Sequence, residues 1–320
     1  MKIVVLDGYT LNPGDLNWDG IAQFGDLEVF DRTPYNDKDI IDNIGNAEVI
    51  FTNKTPLNKN VLSKLTALKY IGVLATGYNI VDIETANKKG VIVTNVPDYS
   101  SVSVAQFTMA LILELCHHIG AHNEAVQQRD WVRSKDFSFW NYPLIELAGK
   151  TIGIFGFGKI GKATAKLAEA FGMQILVHNR TVYPEFENDN LKFVELNEML
   201  ANADFISLHS PLTPETNGVI NKTNISKMKQ SAFLINTSRG PLINEKDLAE
   251  ALNNNQLAGA ALDVISKEPM EEDNPLLGAK NCIITPHIAW APKEARQRLM
   301  QTTVDNLQAF LNENPQNVVS

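Results

Sequence analysis

Three polar side chains in the C-terminal half of the chain suit the handling of a carboxylate and a proton. Arg239 carries a planar guanidinium, which offers a fork of donors and stays charged. His287 is a natural proton donor, because an unperturbed histidine titrates near ~6.5. Glu268, within the sequence KEPM, could hydrogen-bond the second nitrogen of that imidazole. Together they predict a site where Arg239 holds a carboxylate and polarises a neighbouring carbonyl, while His287 delivers a proton to the carbonyl oxygen.

Each of these residues also has a simpler interpretation. Arg239 could be a surface arginine in a salt bridge, Glu268 a loop charge before Pro269, and His287 a helix cap or a metal ligand. No second histidine, cysteine or carboxylate stands at ligand spacing from His287, so the sequence predicts no metal site. Arg239 ends an apolar run and precedes Gly240, which favours the catalytic interpretation.

A glycine-rich segment predicts a binding site for a nicotinamide or flavin nucleotide. Residues 151–180 read TIGIFGFGKIGKATAKLAEAFGMQILVHNR, with Gly156, Gly158 and Gly161 at G-x-G-x-x-G spacing. The spacing alone would also fit an ordinary turn. Here an apolar strand precedes it, and an amphipathic helix and a second strand follow, which is the context of a dinucleotide-binding βαβ unit. The helix N-terminus would bind the diphosphate.

The remaining elements indicate where these residues lie. Short apolar runs alternate with helical patterns, which predicts parallel sheets with helices on both faces. The carboxyl ends of such strands are where ligands bind, so Arg239, Asp263 and His287 should share one edge with the nucleotide. One long helix is predicted from Ser101 to Gln128. Outside the βαβ unit, strands are predicted at residues 3–6, 48–51, 70–74, 91–94, 205–208, 233–236, 259–264 and 282–285.

Composition limits the class of protein. A net charge of −9 argues against nucleic acid or an anionic membrane as a partner, because both favour a basic face. Cys116 and Cys282 stand in apolar contexts and predict reduced thiols. The short N-terminal apolar run does not resemble a signal peptide, and no run reaches the ~18–20 residues that span a bilayer. A cytoplasmic protein is expected.

Residues 129–147 are rich in aromatic side chains and have two interpretations. The segment could be a loop packed on its own domain, or an arm buried against a second subunit. Large aromatics are enriched at interfaces, which favours the arm. The aromatic residues are Trp131, Phe137, Phe139, Trp140 and Tyr142.

The whole chain resembles the D-isomer-specific 2-hydroxyacid dehydrogenases. Any one of the matching motifs is weak evidence, but their order along the chain is specific. They are ATGYNIVD (75–82), VAQFTMALIL (104–113), GFGKIG (156–161), HSPLTPET (209–216), NTSRGP (236–241), LDV (262–264), KEP (267–269) and PHIA (286–289).

The resemblance implies an α/β fold of two Rossmann-like lobes, a flavodoxin-like substrate lobe and an NAD(P)-binding Rossmann lobe, with the substrate in a cleft between them. Residues 1–100 plus 288–320 would form the substrate lobe and 101–287 the nucleotide lobe, through which two chains would form a homodimer. It places the catalytic roles on Arg239, Glu268 and His287.

The implied ligand contacts cover more of the chain. The segment 75–79 could be only a turn, or its N–H groups could bind the substrate carboxylate. Substrate contacts would be Ala75, Thr76, Gly77, Arg239 and Trp290. Cofactor contacts would be Thr76, Thr108, Gly156, Gly158, Lys159, Ile160, Gly161, Asn179, Arg180, Ser210, Thr237, Ser238, Arg239, Asp263 and His287.

One departure bears on the choice between NAD and NADP. Where NAD-preferring members have an aspartate after the second strand, this chain has Asn179, then Arg180 and Thr181. A carboxylate there would repel a 2′-phosphate, whereas Asn179 does not and Arg180 could pair with it. Alternatively Arg180 points to solvent and Asn179 binds the ribose of NAD. The sequence leans towards NADP.

Within the family, residues 5–20, 136–151 and 287–291 look most like glycerate dehydrogenases, also called hydroxypyruvate reductases. The expected activity is reduction of hydroxypyruvate or glyoxylate. The alternatives are a D-lactate or other D-2-hydroxyacid dehydrogenase, or a non-catalytic NAD(H)-sensing protein similar to the family's corepressors. A phosphoglycerate dehydrogenase would usually need a further domain, and a formate dehydrogenase would show Gln in place of Glu268.

Overall fold

The structure, a computed structural model, describes every residue from Met1 to Ser320 and divides into two compact units. The first unit comprises Met1–Ser100 and Ala291–Ser320, and the second comprises Ser101–Trp290. The second boundary therefore follows Trp290, whereas the sequence placed it after His287. The assignment of substrate to one unit and nucleotide to the other stays a prediction.

The first unit is built on a five-stranded parallel sheet of β1 (Lys2–Val5), β2 (Asp26–Val29), β3 (Val49–Thr52), β4 (Tyr70–Val73) and β5 (Ile92–Thr94), in the order β2-β1-β3-β4-β5. This is the flavodoxin-like order. β2 lies on one side of β1, and β3, β4 and β5 follow on the other side, so the strand order reverses between β1 and β3. Strands β3 and β4 are buried along their whole length, as expected for a sheet covered on both faces. The helices are α1 (Asp19–Ala22), α2 (Asp37–Ile44), α3 (Lys59–Lys64), α4 (Ile83–Lys88) and, from the C-terminal segment, α12 (Lys293–Leu311).

The second unit is built on a seven-stranded parallel sheet of β6 (Thr151–Phe155), β7 (Gln174–His178), β8 (Leu191–Phe193), β9 (Phe205–Leu208), β10 (Phe233–Asn236), β11 (Gly259–Leu262) and β12 (Cys282–Ile284). The strand order is β12-β11-β10-β9-β6-β7-β8. If the strands of this unit are numbered from β6 onward, their order is the Rossmann order with one strand added at the edge. The strand order reverses between β6 and β9, which is the switch point of the sheet. The predicted pair of parallel α/β lobes is thus confirmed. The helices are α5 (Ser101–His117), α6 (Ile119–Gln127), α7 (Asp130–Arg133), α8 (Lys159–Ala170), α9 (Leu196–Asn202), α10 (Lys222–Ile225) and α11 (Glu245–Asn253).

The single helix predicted from Ser101 to Gln128 is wrong, because the chain breaks between α5 and α6. His118 adopts φ +47°, a left-handed conformation that no α-helix contains. The side chain of Glu114 accepts a hydrogen bond from the Gly120 N–H at 3.3 Å, beyond the break. Apolar residues keep helical spacing across this point, so periodicity did not reveal the break.

Two strands of the structure have no counterpart in the prediction. β2 is mostly exposed along Asp26–Val29, and β8 has only one buried residue, Leu191. Both lie at the edge of their sheets, where one side of the strand has no neighbour. Their side chains therefore lack the continuous apolar run that identified the inner strands.

No single helix is long and apolar enough to cross a bilayer; α5 and α6 reach that length only as a pair bent by 55°. Both cysteines are free thiols, as predicted. Burial raises the pKa of Cys116 to about 11 and that of Cys282 to about 12, with a nearby Lys150 opposing the shift at Cys116.

Candidate active site

Three neighbouring strands of the second unit end at the same edge of the sheet. Asn236 at the end of β10 is in register with Leu262 of β11, which is in register with Ile284 of β12. The segments that follow these strands contain Arg239, Asp263 and His287 respectively. All three polar residues thus follow the carboxyl ends of adjacent parallel strands, where ligands bind in such sheets.

The buried carboxylate of Asp263 fixes the segment that carries His287. Asp263 is 1% exposed, and it accepts hydrogen bonds from Thr285 Oγ1 (2.6 Å), Ile288 N (2.9 Å) and Ala289 N (2.8 Å). His287 lies between these donors with φ +55°, an uncommon conformation for a residue other than glycine. A charged acceptor with three donors supplies the hydrogen bonds that hold the chain in that conformation.

His287 is oriented by Glu268. Nδ1 of His287 lies 2.7 Å from Oε2 of Glu268, with the two side chains 30% and 33% exposed. A carboxylate only accepts, so Nδ1 carries the proton of this hydrogen bond. Nε2 makes no hydrogen bond within the chain and is therefore the nitrogen that can exchange a proton with a ligand.

The position of Arg239 is set by its neighbours. The side chain of Asn236 donates to the Arg239 carbonyl (2.9 Å) and accepts from the Ser238 N–H (3.0 Å), which fixes the turn after β10. A Cβ at Gly240 would lie 1.9 Å from the carbonyl carbon of Ile265, so only glycine allows this approach. The exposed guanidinium itself uses Nη1 to bind the Ser238 carbonyl at 2.7 Å, which leaves the other donors of its fork for a ligand.

The glycine-rich loop lies at the switch point of the sheet. Gly156 follows β6 with φ +97°, and a Cβ there would lie 2.8 Å from His209 C and Ser210 N, which follow the adjacent β9. A Cβ at Gly161 would lie 2.2 Å from the Gly156 carbonyl oxygen, so helix α8 packs closely on the loop. The two glycines have the roles that the fingerprint predicts.

The loop fits a dinucleotide diphosphate. Gly158 is the N-cap of α8, no side chain caps this helix end, and a Cβ at Gly158 would meet nothing within 4 Å. The backbone is thus open at the helix end where Lys159 and Ile160 begin the first turn, and the helix dipole favours an anion there. Next to it, Ser210 Oγ and His209 Nδ1 are buried without a hydrogen-bond partner in the chain. Buried polar atoms of this kind suit a bound ligand.

Four further residues assigned to the cofactor form two hydrogen-bonded pairs. Thr108 Oγ1 on α5 lies 3.0 Å from Thr237 Oγ1, and both residues are buried. Ser238 Oγ donates to the Ser210 carbonyl at 2.6 Å. The structure therefore brings together residues that are far apart in sequence, beside the turn that positions Arg239.

Asn179 uses both ends of its amide within the chain. Its Oδ1 accepts from the Phe157 N–H (3.0 Å) and its Nδ2 donates to the Thr181 carbonyl (2.6 Å). Arg180 is exposed. A hydrogen bond from Thr213, the backbone at Glu215 and the positive charge of Arg180 lower the pKa of the Glu215 carboxyl.

The remaining predicted contacts divide between the units. Ala75, Thr76 and Gly77 belong to the first unit, in the turn after β4; Thr76 Oγ1 donates to the Val96 carbonyl at 2.9 Å. The N–H groups of residues 75–77 donate no hydrogen bond within the chain. Trp290 is the last residue of the second unit and is half-buried.

Sequence reasoning missed two residues that shape this edge. His209 stood within the HSPLTPET motif, but the motif did not show that its ring would be buried with Nδ1 unpaired. Asn236 ends an apolar strand, where its amide orders the turn before Arg239. A polar residue at the end of a buried strand is the signal that would have identified both. The structure contains no cluster of three or more His, Cys, Asp or Glu side chains that could hold a metal.

Residues 109–289 match the family model described as D-isomer specific 2-hydroxyacid dehydrogenase, NAD binding domain. The chain is 54% identical over 321 residues to a hydroxypyruvate reductase of Blautia hydrogenotrophica, covering 100% of both chains. It is 38% identical over 320 residues to a glycerate dehydrogenase of Methylorubrum extorquens, covering 99% of this chain and 98% of the relative.

A solved structure extends the similarity to the fold. The chain superposes with a TM-score of 0.84 and 30% identity on an acyclic imino acid reductase in complex with NADPH and D-Arg, covering 100% of both chains. The family model thus names NAD and the solved relative holds NADPH. A nicotinamide nucleotide is the cofactor class of this fold.

The buried histidine beside the glycine-rich loop should make stability depend on pH. Burial lowers the pKa of His209 to about 3, with Nε2 held 2.9 Å from Ser207 Oγ. The unfolded chain binds a proton at this histidine below ~6.5, whereas the folded chain stays neutral until about pH 3. The contribution of this group to the free energy of unfolding is therefore fully present above the unfolded pKa of ~6.5. It is lost as the pH falls from that value towards the folded pKa of about 3.

We expect His209→Gln to flatten the pH dependence of the free energy of unfolding. The parent should lose ~1.4 kcal/mol per pH unit from this group as pH falls through the acidic range. Urea unfolding followed by tryptophan fluorescence, at about pH 7.5 and about pH 5.5, measures the difference. Equal pH slopes in parent and variant would contradict the buried neutral histidine.

Proposed function

Because this chain belongs to the D-isomer-specific 2-hydroxyacid dehydrogenases, we propose that Arg239, Glu268 and His287 carry the chemistry of a hydroxypyruvate or glyoxylate reductase. The reaction class follows from the family: an NAD(P)-dependent oxidoreductase acts on the CH–OH group of a small 2-hydroxy acid. The observation that carries the residue assignment is the 2.7 Å contact between His287 Nδ1 and Glu268.

His287 acts as the acid in the reductive direction. Its Nδ1–H stays with Glu268, so a proton on Nε2 is the one available to the substrate. As C2 of the keto acid is reduced, the carbonyl oxygen gains negative charge and takes this proton, leaving a neutral imidazole. In the oxidative direction the same nitrogen removes the hydroxyl proton, as microscopic reversibility requires.

Arg239 orients the substrate. Its guanidinium keeps a permanent charge, and one N–H is already bound to the Ser238 carbonyl. The remaining donors can bind a carboxylate and a carbonyl oxygen in one plane, which fixes the acid and polarises the C=O bond. Asp263 acts through the backbone, because it holds the 285–289 segment and thereby the ring of His287.

The cofactor occupies the glycine-rich edge of the second unit. A bound nicotinamide supplies the hydride or accepts it. Gly158 and the first turn of α8 bind its diphosphate, and Thr108, Ser210, Thr237 and Ser238 line the same edge. NADP is favoured over NAD, because the Asn179 amide is engaged with backbone and the exposed Arg180 can pair with a 2′-phosphate.

The first unit binds the substrate carboxylate. The unpaired N–H groups of residues 75–77 suit an anion, because successive N–H groups in a turn form a positive concavity. Trp290 borders the substrate.

The aromatic segment 129–147 forms the interface of a homodimer. Phe137 is 91% exposed, Trp140 65% and Trp131 52%, more apolar surface than a monomer usually presents in one segment. The segment is nevertheless ordered: the Asn141 N–H donates to His122 Nε2 at 3.1 Å, and Tyr142 stacks on His118. The absence of nucleic-acid or membrane partners stays a prediction from the net charge, and a cytoplasmic location stays a prediction from the apolar runs of the sequence.

Replacing His287 by Ala should lower kcat with hydroxypyruvate by ~10²–10⁴-fold, because no other group supplies the proton. Glu268→Gln, which keeps the side-chain size, should lower it less. Loss of reduced-nicotinamide absorbance measures turnover, and fluorescence titration measures nucleotide binding, which should change little. His117→Ala is the matched control.

Equal turnover in parent and His287→Ala would exclude the assigned role. A parent inactive on hydroxypyruvate, glyoxylate and other 2-keto acids would instead favour the nucleotide-binding alternative.

Arg180→Ala should raise the KM for NADPH about tenfold, because the variant loses one exposed contact to the 2′-phosphate. The KM for NADH should stay within about twofold of the parent value. Steady-state rates with both nucleotides at saturating hydroxypyruvate test this. Lys192→Ala removes another exposed positive charge and serves as the control. If both KM values rise together, or if the parent already prefers NADH, the chain does not select the 2′-phosphate through Arg180.

The double variant Phe137→Asp/Trp140→Asp should convert the dimer to monomers, because two buried carboxylates would face an apolar partner surface. Light scattering after gel filtration should give twice the chain mass for the parent and the chain mass for the variant. Tyr35→Asp alters an equally exposed ring in the first unit and should leave the mass unchanged. A monomeric parent would contradict the interface.

A further inference from the structure

A lysine on the first turn of α8 lies inside a cluster of aromatic rings. Lys162 Nζ is 4.3 Å from the ring centroid of Phe186, 4.6 Å from that of Tyr183 and 5.7 Å from that of Phe157. No carboxylate pairs with this ammonium. Three ring faces around one cation form the arrangement in which cation–π attraction is significant. We call Lys162 and these three rings the lysine cage.

The rings of the cage also pack on one another. Phe157 meets Phe186 edge-on at 5.5 Å and Phe193 at 5.3 Å, and Tyr183 meets Phe186 at 6.3 Å. Phe157 is 2% exposed and belongs to the glycine-rich loop. Tyr183 and Phe186 belong to the segment between β7 and β8. The cage therefore links the diphosphate-binding loop to the segment that follows Arg180.

Hydrogen bonds hold the far end of that segment: Asn190 accepts from the Ile175 N–H and from Gln174 Nε2, and Glu187 accepts from the Phe193 N–H. Residues 180–182 and 184–190 are all exposed. On its N-terminal side, the Asn179 amide connects Phe157 N to the Thr181 carbonyl. On its C-terminal side, the cage holds Tyr183 and Phe186. Arg180 and Thr181 are thus fixed between two attachments to the same loop.

We propose that Lys162, held among Phe157, Tyr183 and Phe186, positions the Asn179–Thr181 segment to bind a 2′-phosphate, so that nucleotide selectivity depends on a side chain that need not touch the nucleotide. This inference rests on the NADP selectivity of the proposed function. Because the segment is already held in place, binding does not incur the conformational entropy cost of ordering a mobile loop. Lys162 is a positioning residue, and its charge matters because only a cation is attracted to all three ring faces.

The competing explanation is that the aliphatic stem of Lys162 simply covers apolar surface. Lys162→Met separates the two, because methionine fills similar space without a charge. Lys162→Arg keeps the cation and should rescue binding. Lys166→Met removes an exposed lysine one turn along the same helix and is the matched control. Tyr183→Leu removes one ring and tests the cage from its other side.

The experiment measures binding of two nucleotide fragments to the full chain by isothermal titration calorimetry: adenosine 2′,5′-bisphosphate, which carries the 2′-phosphate, and 5′-AMP, which does not. Lys162→Met and Tyr183→Leu should weaken the bisphosphate about fivefold while changing 5′-AMP less than about twofold. Lys162→Arg and Lys166→Met should match the parent. Thermal unfolding of each variant checks that the fold is retained.

The outcomes separate this inference from the proposed function. Unchanged bisphosphate binding in Lys162→Met, or equal loss for both fragments, would overturn the positioning role while the parent's own preference for the bisphosphate upholds NADP selectivity. A parent that binds both fragments equally would overturn both. Unchanged binding in Lys162→Met would assign the effect of this residue to its aliphatic stem, which covers apolar surface, rather than to its charge.

Discussion

The buried carboxylate of Asp263 is the interaction on which the site depends. One side chain, 1% exposed, accepts from Thr285, Ile288 and Ala289 and so determines the backbone path on both sides of His287. A left-handed conformation at a non-glycine residue is costly, and it persists where surrounding bonds over-determine it. Without this anchor the imidazole would lose its alignment with Glu268, and in the proposed reaction a misplaced proton donor would transfer protons poorly.

Close backbone approaches complete the same edge of the sheet. Gly156 lies against His209 at the switch point, and Gly240 lies against Ile265 after β10. In both places a side chain would occupy the position of another segment's backbone. The glycine-rich loop and the turn carrying Arg239 are therefore fixed by packing of main chain on main chain, which provides the rigid support that nucleotide binding and substrate orientation require.

Under the proposed NADP selectivity, the choice between nucleotides depends on residues that lie outside these contacts. Asn179, which under the alternative would bind the ribose of NAD, accepts from the Phe157 N–H and donates to the Thr181 carbonyl. These two hydrogen bonds join the glycine-rich loop to the residues around Arg180. The sequence showed that no carboxylate stands at position 179 to repel a 2′-phosphate. It could not show the two hydrogen bonds of the Asn179 amide, because both partners are backbone groups whose approach depends on the fold.

The sequence by itself determined the fold class, the nucleotide-binding loop and the candidate Arg239, Glu268 and His287, because buried parallel strands and glycine spacing leave local patterns. Edge strands β2 and β8 and the break at His118 left no such pattern. Only the tertiary structure decided which atoms meet: Glu268 with Nδ1 of a histidine 19 residues away, and Thr108 with Thr237, 129 residues away. Such contacts follow from the order of strands in the sheet, which hydrophobic periodicity does not encode.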